Sequence, residues 1–220
     1  MAPVRRRDRF HGRIAGVGST SGVRLVVGRW DAGPWGPFAD VMVATASGRR
    51  VLLAPDEQVA DFVAATYSFD EVRLEPVTVR DVSGGADGGT GGGTGGWSVR
   101  TPSLRLDLAI GARTPLGGVL RCVPGPMARA PWFCSLTDPV ARTLMRGVRT
   151  RGSAGNGRRE FYGATDVHAI TAASGSLDGL DLGHLAAVDP PPDFGFSSTP
   201  RRPSVTSVTT TVEVPLTRVR

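Results

Sequence analysis

Apolar and polar residues alternate with period two along much of this chain. Leu104, Leu106, Leu108 and Ile110 share one parity, and Arg105 and Asp107 the other, which is the pattern of a half-buried strand. Further strands are predicted at 13–17, 23–30, 38–44, 50–54, 71–79, 97–101, 158–170 and 205–214. Three short stretches switch to helical spacing. Val59, Phe62, Val63 and Thr66 recur at i, i+3, i+4 and i+7 behind Asp56, a residue suited to an N-cap. Thr114-Pro115 pairs a cap with proline at the first helical position. Asp138-Pro139 repeats the device, with Gly147 as the stop. The expected class is mainly β: an antiparallel barrel or sandwich, with a few short helices closing one end.

Turn residues punctuate the strands. Ala46-Ser-Gly-Arg49 fits a hairpin connection, and Asn156-Gly157 is a strong hairpin signal. The proline-rich stretch 188–193 reads as a rigid loop. Residues 83–96 are almost all Gly, Ser and Thr and cannot pack, so they read as a flexible loop. Alternating segments flank this run, and a long surface insertion costs little stability. Residues 1–220 are therefore expected to form one β-rich domain, with the glycine run joining two strands of one sheet.

Composition narrows the chemistry. The chain has 220 residues and a net charge of +6, and all 26 basic residues are arginine. The absence of lysine excludes Schiff-base chemistry, a P-loop lysine and a lysine base. Asparagine occurs once and isoleucine three times, so residues with A/T-rich codons are scarce. The arginine bias therefore reads as genome composition before it reads as phosphate binding. Acids also interleave with arginines at Asp8, Asp31, Asp107 and Glu160, which argues against a nucleic-acid partner. The run Arg5-Arg6-Arg7 is expected to be a solvated terminus. No apolar segment follows it, so no secretory signal is expected, and no stretch is long and apolar enough to span a membrane. Cys122 and Cys134, without nearby histidine, fit a reducing cytoplasm. No cofactor or metal site is expected. Unpaired edge strands leave a homodimer as a way of hiding them.

The chemical candidates are few. Gly16-Val-Gly-Ser-Thr-Ser-Gly22 lacks the third glycine of a dinucleotide loop and leads into a strand, so it reads as a tight turn. Past Asn156-Gly157, alternation places Glu160, Tyr162, Asp166 and His168 on one strand face. Asp166 could orient His168 as an acid–base pair; the competing reading is a solvated strand face. Arg158 and Arg159, and Arg201 and Arg202 between prolines, are candidate anion sites, set against ordinary exposed loops. Trp30, Trp35 and Trp132 lie in Gly/Pro-rich segments, where aromatics either rim an apolar ligand or pack a core.

Five segments, 10–18, 36–42, 51–55, 149–163 and 194–204, resemble a family of uncharacterised actinobacterial proteins. The resemblance implies a high-GC bacterial cytoplasm and carries no activity and no catalytic residues. The leading expectation is a small-ligand-binding β-rich protein, drawing on Trp30, Trp35, Trp132, Tyr162 and His168. The alternative is an enzyme using Asp166 and His168 on an anionic or apolar small molecule, with an arginine holding the anion.

Overall fold

The alternating segments join one mixed sheet in a computed structural model that describes residues 5–83, 95–124, 127, 151–153, 155–195 and 199–215. Its first half contains β1 (Arg5–Ser19), β2 (Arg24–Ala32), β3 (Phe38–Ala44), β4 (Arg50–Ala54), helix α1 (Glu57–Ala64), β5 (Glu71–Leu74) and β6 (Thr78–Val82). Then come β7 (Gly95–Arg100), β8 (Leu104–Arg113), helix α2 (Pro115–Arg121), β9 (Arg151–Ser153) and β10 (Arg159–Leu177). The short β11 (Leu180–Asp181) and β12 (Leu185–Ala186) precede β13 (Ser204–Pro215). The protein is thus mainly β, with few and short helices, as the alternation predicts. The Asp138-Pro139 helix and Trp132 lie outside the described residues.

The strands are ordered β5-β4-β3-β2-β1-β13-β10-β8-β7-β6, with β9 and β11 on β10 and β12 on β1. Among the described residues every pairing is antiparallel except β4–β5, which is parallel because α1 carries the chain back across the sheet. The expected strand at 71–79 is two strands, broken at Glu75-Pro76-Val77. Pro76 has no N–H to give a ladder, and Glu75 is buried, accepting from Ser103 N at 2.9 Å and Ser103 Oγ at 2.6 Å. The broken halves form the two edges of the sheet. Because these edges are consecutive in the chain, the sheet curls into a half-barrel.

Curling buries one face between two arms. Val17, Leu25, Val27 and Val41 come from one arm, and Trp97, Leu106, Leu108 and Ile170 from the other. Asp81 of β6 ties the arms at the rim, 2.7 Å from Arg29 Nη1 and 3.4 Å from Arg13 Nη2. The strands flanking the glycine run, β6 and β7, are hydrogen-bonded neighbours.

On the outer face, α1 sets Val59, Ala60 and Val63 against Leu52 and Ala54. Asp56 caps it as expected, its Oδ1 accepting from Val59 N at 2.9 Å. Thr114 likewise caps α2, accepting from Gly117 N at 3.1 Å. Both Gly22 (φ 84) and Gly48 (φ 86) take the left-handed conformation that their hairpin turns require. The run Arg5-Arg6-Arg7 keeps its Arg6 and Arg7 side chains exposed, as expected of a solvated segment, but its backbone is in the sheet. These residues are the start of β1, paired in register with Pro215, Val214 and Glu213. Arg7 meets Glu213 at 2.9 Å and Arg6 meets Asp8 at 2.8 Å, so nearby acids let this basic run join a sheet. No helix among the described residues is long and apolar enough to cross a membrane.

Candidate functional site

The segment singled out by sequence, residues 151–168, contains the expected hairpin. Asn156 (φ 56, ψ 33) and Gly157 (φ 69) occupy left-handed backbone between β9 and β10. The single polar face expected beyond it does not form. Between Ala164 and Asp166 the register of β10 against β13 slips by one, so Thr165 is an extra residue, a β-bulge. A one-residue slip reverses the side-chain faces that follow. Tyr162 pairs with Thr210, whereas His168 pairs with Val205, which has the opposite parity along β13. Glu160 and Tyr162 therefore face outward toward α1, while Asp166 and His168 face inward.

The inner site is a cleft of about 390 Å³, lined by Arg13, Asp81, Ile110, His168, Val205 and Ser207 among others. The sheet brings Asp166 and His168 together at 3.5 Å, between Oδ2 and Nε2. Asp166 is already engaged, accepting from Arg113 Nε at 2.8 and 3.1 Å and from its neighbour Val167 N at 2.9 Å. Partial burial pushes its carboxyl up, but the Arg113 and backbone hydrogen bonds win and hold it below the usual carboxylate range. His168 Nδ1 faces the Gly111 carbonyl at 3.2 Å, so both ring nitrogens meet acceptors. Arg13 stacks over Trp97, 5.2 Å from the ring centre. The Trp97 indole N–H is buried and makes no hydrogen bond within 3.5 Å, although Asp81 is close enough for it to favour the charged carboxylate.

The outer site is denser. Asp40 and Glu160 are 3 and 2 % exposed, Asp40 beside the half-buried indole of Trp30 and Glu160 beside the half-buried phenol of Tyr67. Asp40 Oδ1 accepts from Trp30 Nε1 at 2.9 Å. Tyr67 Oη donates to Glu160, 2.8 Å from Oε1 and 2.7 Å from Oε2, and also contacts Tyr162 Oη. Burial pushes both carboxyls up to about 7, against the smaller opposing effect of these hydrogen bonds. Burial, and then the Glu160 charge, raise both tyrosines well above their ordinary value. Beside this network Phe10, Trp30, Trp35, Phe38 and Phe62 pack ring against ring, with centroids 4.8 to 6.2 Å apart.

The candidate ligand residues are thus divided between two faces. Trp30, Trp35 and Tyr162 belong to the outer aromatic and tyrosine cluster, and His168 to the inner cleft. Arg158 donates to Phe62 O and Thr66 Oγ1, both at 2.8 Å, and stacks on Phe62 at 4.8 Å, which occupies it at the end of α1. Arg159 is exposed at the start of β10. Arg201 pairs with Asp189 at 2.8 Å, and Arg202 is exposed beside it in the same loop.

Sequence reasoning passed over Tyr67 and Asp40. Asp40 shares parity with Phe38 and Met42, and only the packing of α1 shows that this parity is covered. Compared with protein-family models, with curated proteins and with solved structures, the chain gives no match.

Proposed function

We propose that this half-barrel binds a small, partly apolar anion in its inner cleft. The observation that carries the reading is the cleft itself, which falls within the usual size range of small-molecule sites. Its lining joins apolar Ile110 and Val205 to the donors Arg13, Ser207 and His168, against one carboxylate, Asp81. Asp81 takes its shorter ion pair from Arg29, so Arg13, stacked on Trp97, has only a stretched 3.4 Å ion-pair contact and keeps N–H donors for a ligand. The test is titration with 1-anilinonaphthalene-8-sulfonate, an apolar sulfonate, followed by fluorescence, with native mass spectrometry for a co-purifying small molecule. Saturable one-to-one binding is expected, weakened about tenfold by Arg13→Gln, the loss of one charge-assisted contact. Ser207→Trp is expected to abolish it by filling the cleft. Unsaturable binding, or binding untouched by Ser207→Trp in a protein with wild-type circular dichroism, would sink the reading.

A second reading rests on the 3.5 Å Asp166–His168 contact at the same cleft: acid–base catalysis on such an anion. It requires His168 to give up one of its two acceptor contacts when substrate enters. On this reading His168→Gln removes turnover while leaving the anion's affinity within a factor of a few.

A further inference from the structure

Among the described residues the ion pairs are balanced, with one exception. Arg6 pairs with Asp8, Arg7 with Glu213, Arg50 with Asp70, Arg100 with Asp107 and Arg201 with Asp189. In the larger groups, Arg13 and Arg29 stand against Asp31 and Asp81, and Arg49 and Arg73 against Glu71 and Asp178. Asp166 is the exception, a single acid facing two arginines. Arg113 lies 2.8 Å from it and Arg121 3.9 Å, with His168 at 3.5 Å.

The fold assembles this excess of positive charge from three elements. Asp166 stands on β10 just past the bulge, its Oδ1 fixed by Val167 N at 2.9 Å. Arg113 ends β8, and Thr114, the next residue, caps α2 and donates its N–H to Val167 O at 2.9 Å. The helix then runs so close to β10 that a Cβ on Gly117 would stand 2.5 Å from Val167 O and 2.8 Å from Asp166 Oδ1. Arg121 follows Gly117 by four residues and so shares its side of the helix.

Few of the arginine donors are used. Arg113 reaches Asp166 through Nε alone, at 2.8 and 3.1 Å. Arg50, by contrast, grips Asp70 with both Nε and Nη2. The Nη groups of Arg113 have no acceptor among the described residues, and Arg121 makes no hydrogen bond to them. Both side chains are exposed. Two guanidiniums gathered at one carboxylate repel each other, and a bound anion relieves that repulsion.

We propose that Arg113 and Arg121 form an oxyanion site for a phosphoryl group, free or carried on a small molecule. Each guanidinium offers a planar fork of N–H donors that matches two oxygens of a tetrahedral anion. Asp166 orients Arg113 from behind while the net charge stays positive. The site adjoins the inner cleft through His168, which lines that cleft, but it holds its anion by different arginines. It therefore stands whether or not the cleft binds.

Calorimetric titration of the full chain with inorganic phosphate and with phenyl phosphate tests this. Saturable one-to-one binding is expected. Tighter binding of phenyl phosphate assigns the site to an organic phosphate whose apolar part reaches the cleft. Affinities that are equal, or greater for inorganic phosphate, assign it to free phosphate. Arg121→Gln is expected to weaken binding about tenfold, the loss of one charge-assisted contact. Its Tm is expected to be unchanged, because an exposed side chain without a hydrogen bond holds no packing together. Arg202→Gln removes an exposed arginine elsewhere and is expected to change nothing. Arg13→Gln, which acts in the cleft, is expected to leave inorganic phosphate binding as it was, so the cleft and the oxyanion site fail separately. Unsaturable binding, binding untouched by Arg121→Gln, or equal weakening by Arg202→Gln would overturn the oxyanion site.

Discussion

Asp40 shows what burial does to a single carboxyl group when the donor supplied is neutral. An indole N–H at 2.9 Å stabilises the charge less than the surrounding packing penalises it, so its carboxyl stands at about 7 against an ordinary 3.8. A raised acid holds its proton more tightly folded than unfolded. Stability is therefore complete below about pH 4, falls as pH rises toward 7, and is level beyond. Each unit of difference corresponds to about 1.4 kcal/mol. Asp40→Asn keeps an oxygen for Trp30 and cannot ionise. It is expected to gain stability relative to the wild type by a few kcal/mol between pH 4 and 8, read from urea unfolding at several pH values. Wild-type and variant curves that stay parallel would show that Asp40 is charged when folded. The neighbouring Gly28 has its own part, since a Cβ there would lie 2.4 Å from Asp40 Oδ1 and 2.7 Å from Trp30 Nε1. Gly28→Ala is expected to split that pair and to blue- or red-shift the tryptophan emission together with a lowered Tm.

At the scale of elements, α1 is held at both ends by different means, and only one was legible in the sequence. Asp56 announces its cap because the cap is local: a short acid, three residues before the N–H that it accepts from. Asp56→Ala is expected to cost about 1 kcal/mol in thermal unfolding. The other end carries no basic residue in its last turn, and the cation comes from Arg158, far along the chain. Nothing near residue 64 predicts this, because the contact exists only once β10 has taken its place in the sheet. Arg158→Ala is expected to destabilise the end of α1 by about 1 kcal/mol and to raise exchange at Thr66 and Tyr67. The strands were legible for the same reason as the N-cap: alternation is a local pattern. The bulge at Thr165 was not, since Gly163-Ala-Thr-Asp166 carries no period to betray an extra residue. That omission assigned Glu160 and His168 to one face and merged two sites into one. The parallel β4–β5 pair was missed because strand, helix and strand in succession leave the direction of return to tertiary packing.

For the whole molecule the decisive fact is that the sheet curls without its edges joining, so closure depends on side chains that cross the interior. Trp97 is the largest of the fully buried ones and stands on β7, close to one edge. It packs with Val17, Leu25 and Val27 from the other arm, and Arg13 lies over its ring. Removing it leaves a cavity on the side where the described edge strands β5 and β6 are not hydrogen-bonded to each other. Trp97→Ala is thus expected to cost about 3–5 kcal/mol, the upper range for aromatic truncation. The same cavity would widen the inner cleft beneath Arg13. The decisive comparison is with Val63→Ala, which removes apolar packing from the outer cluster only. Both variants should lower Tm, but only Trp97→Ala should alter sulfonate binding in the cleft. If Val63→Ala disturbs that binding equally, the two faces of the sheet are coupled, and the separation between the inner ligand site and the outer aromatic cluster fails.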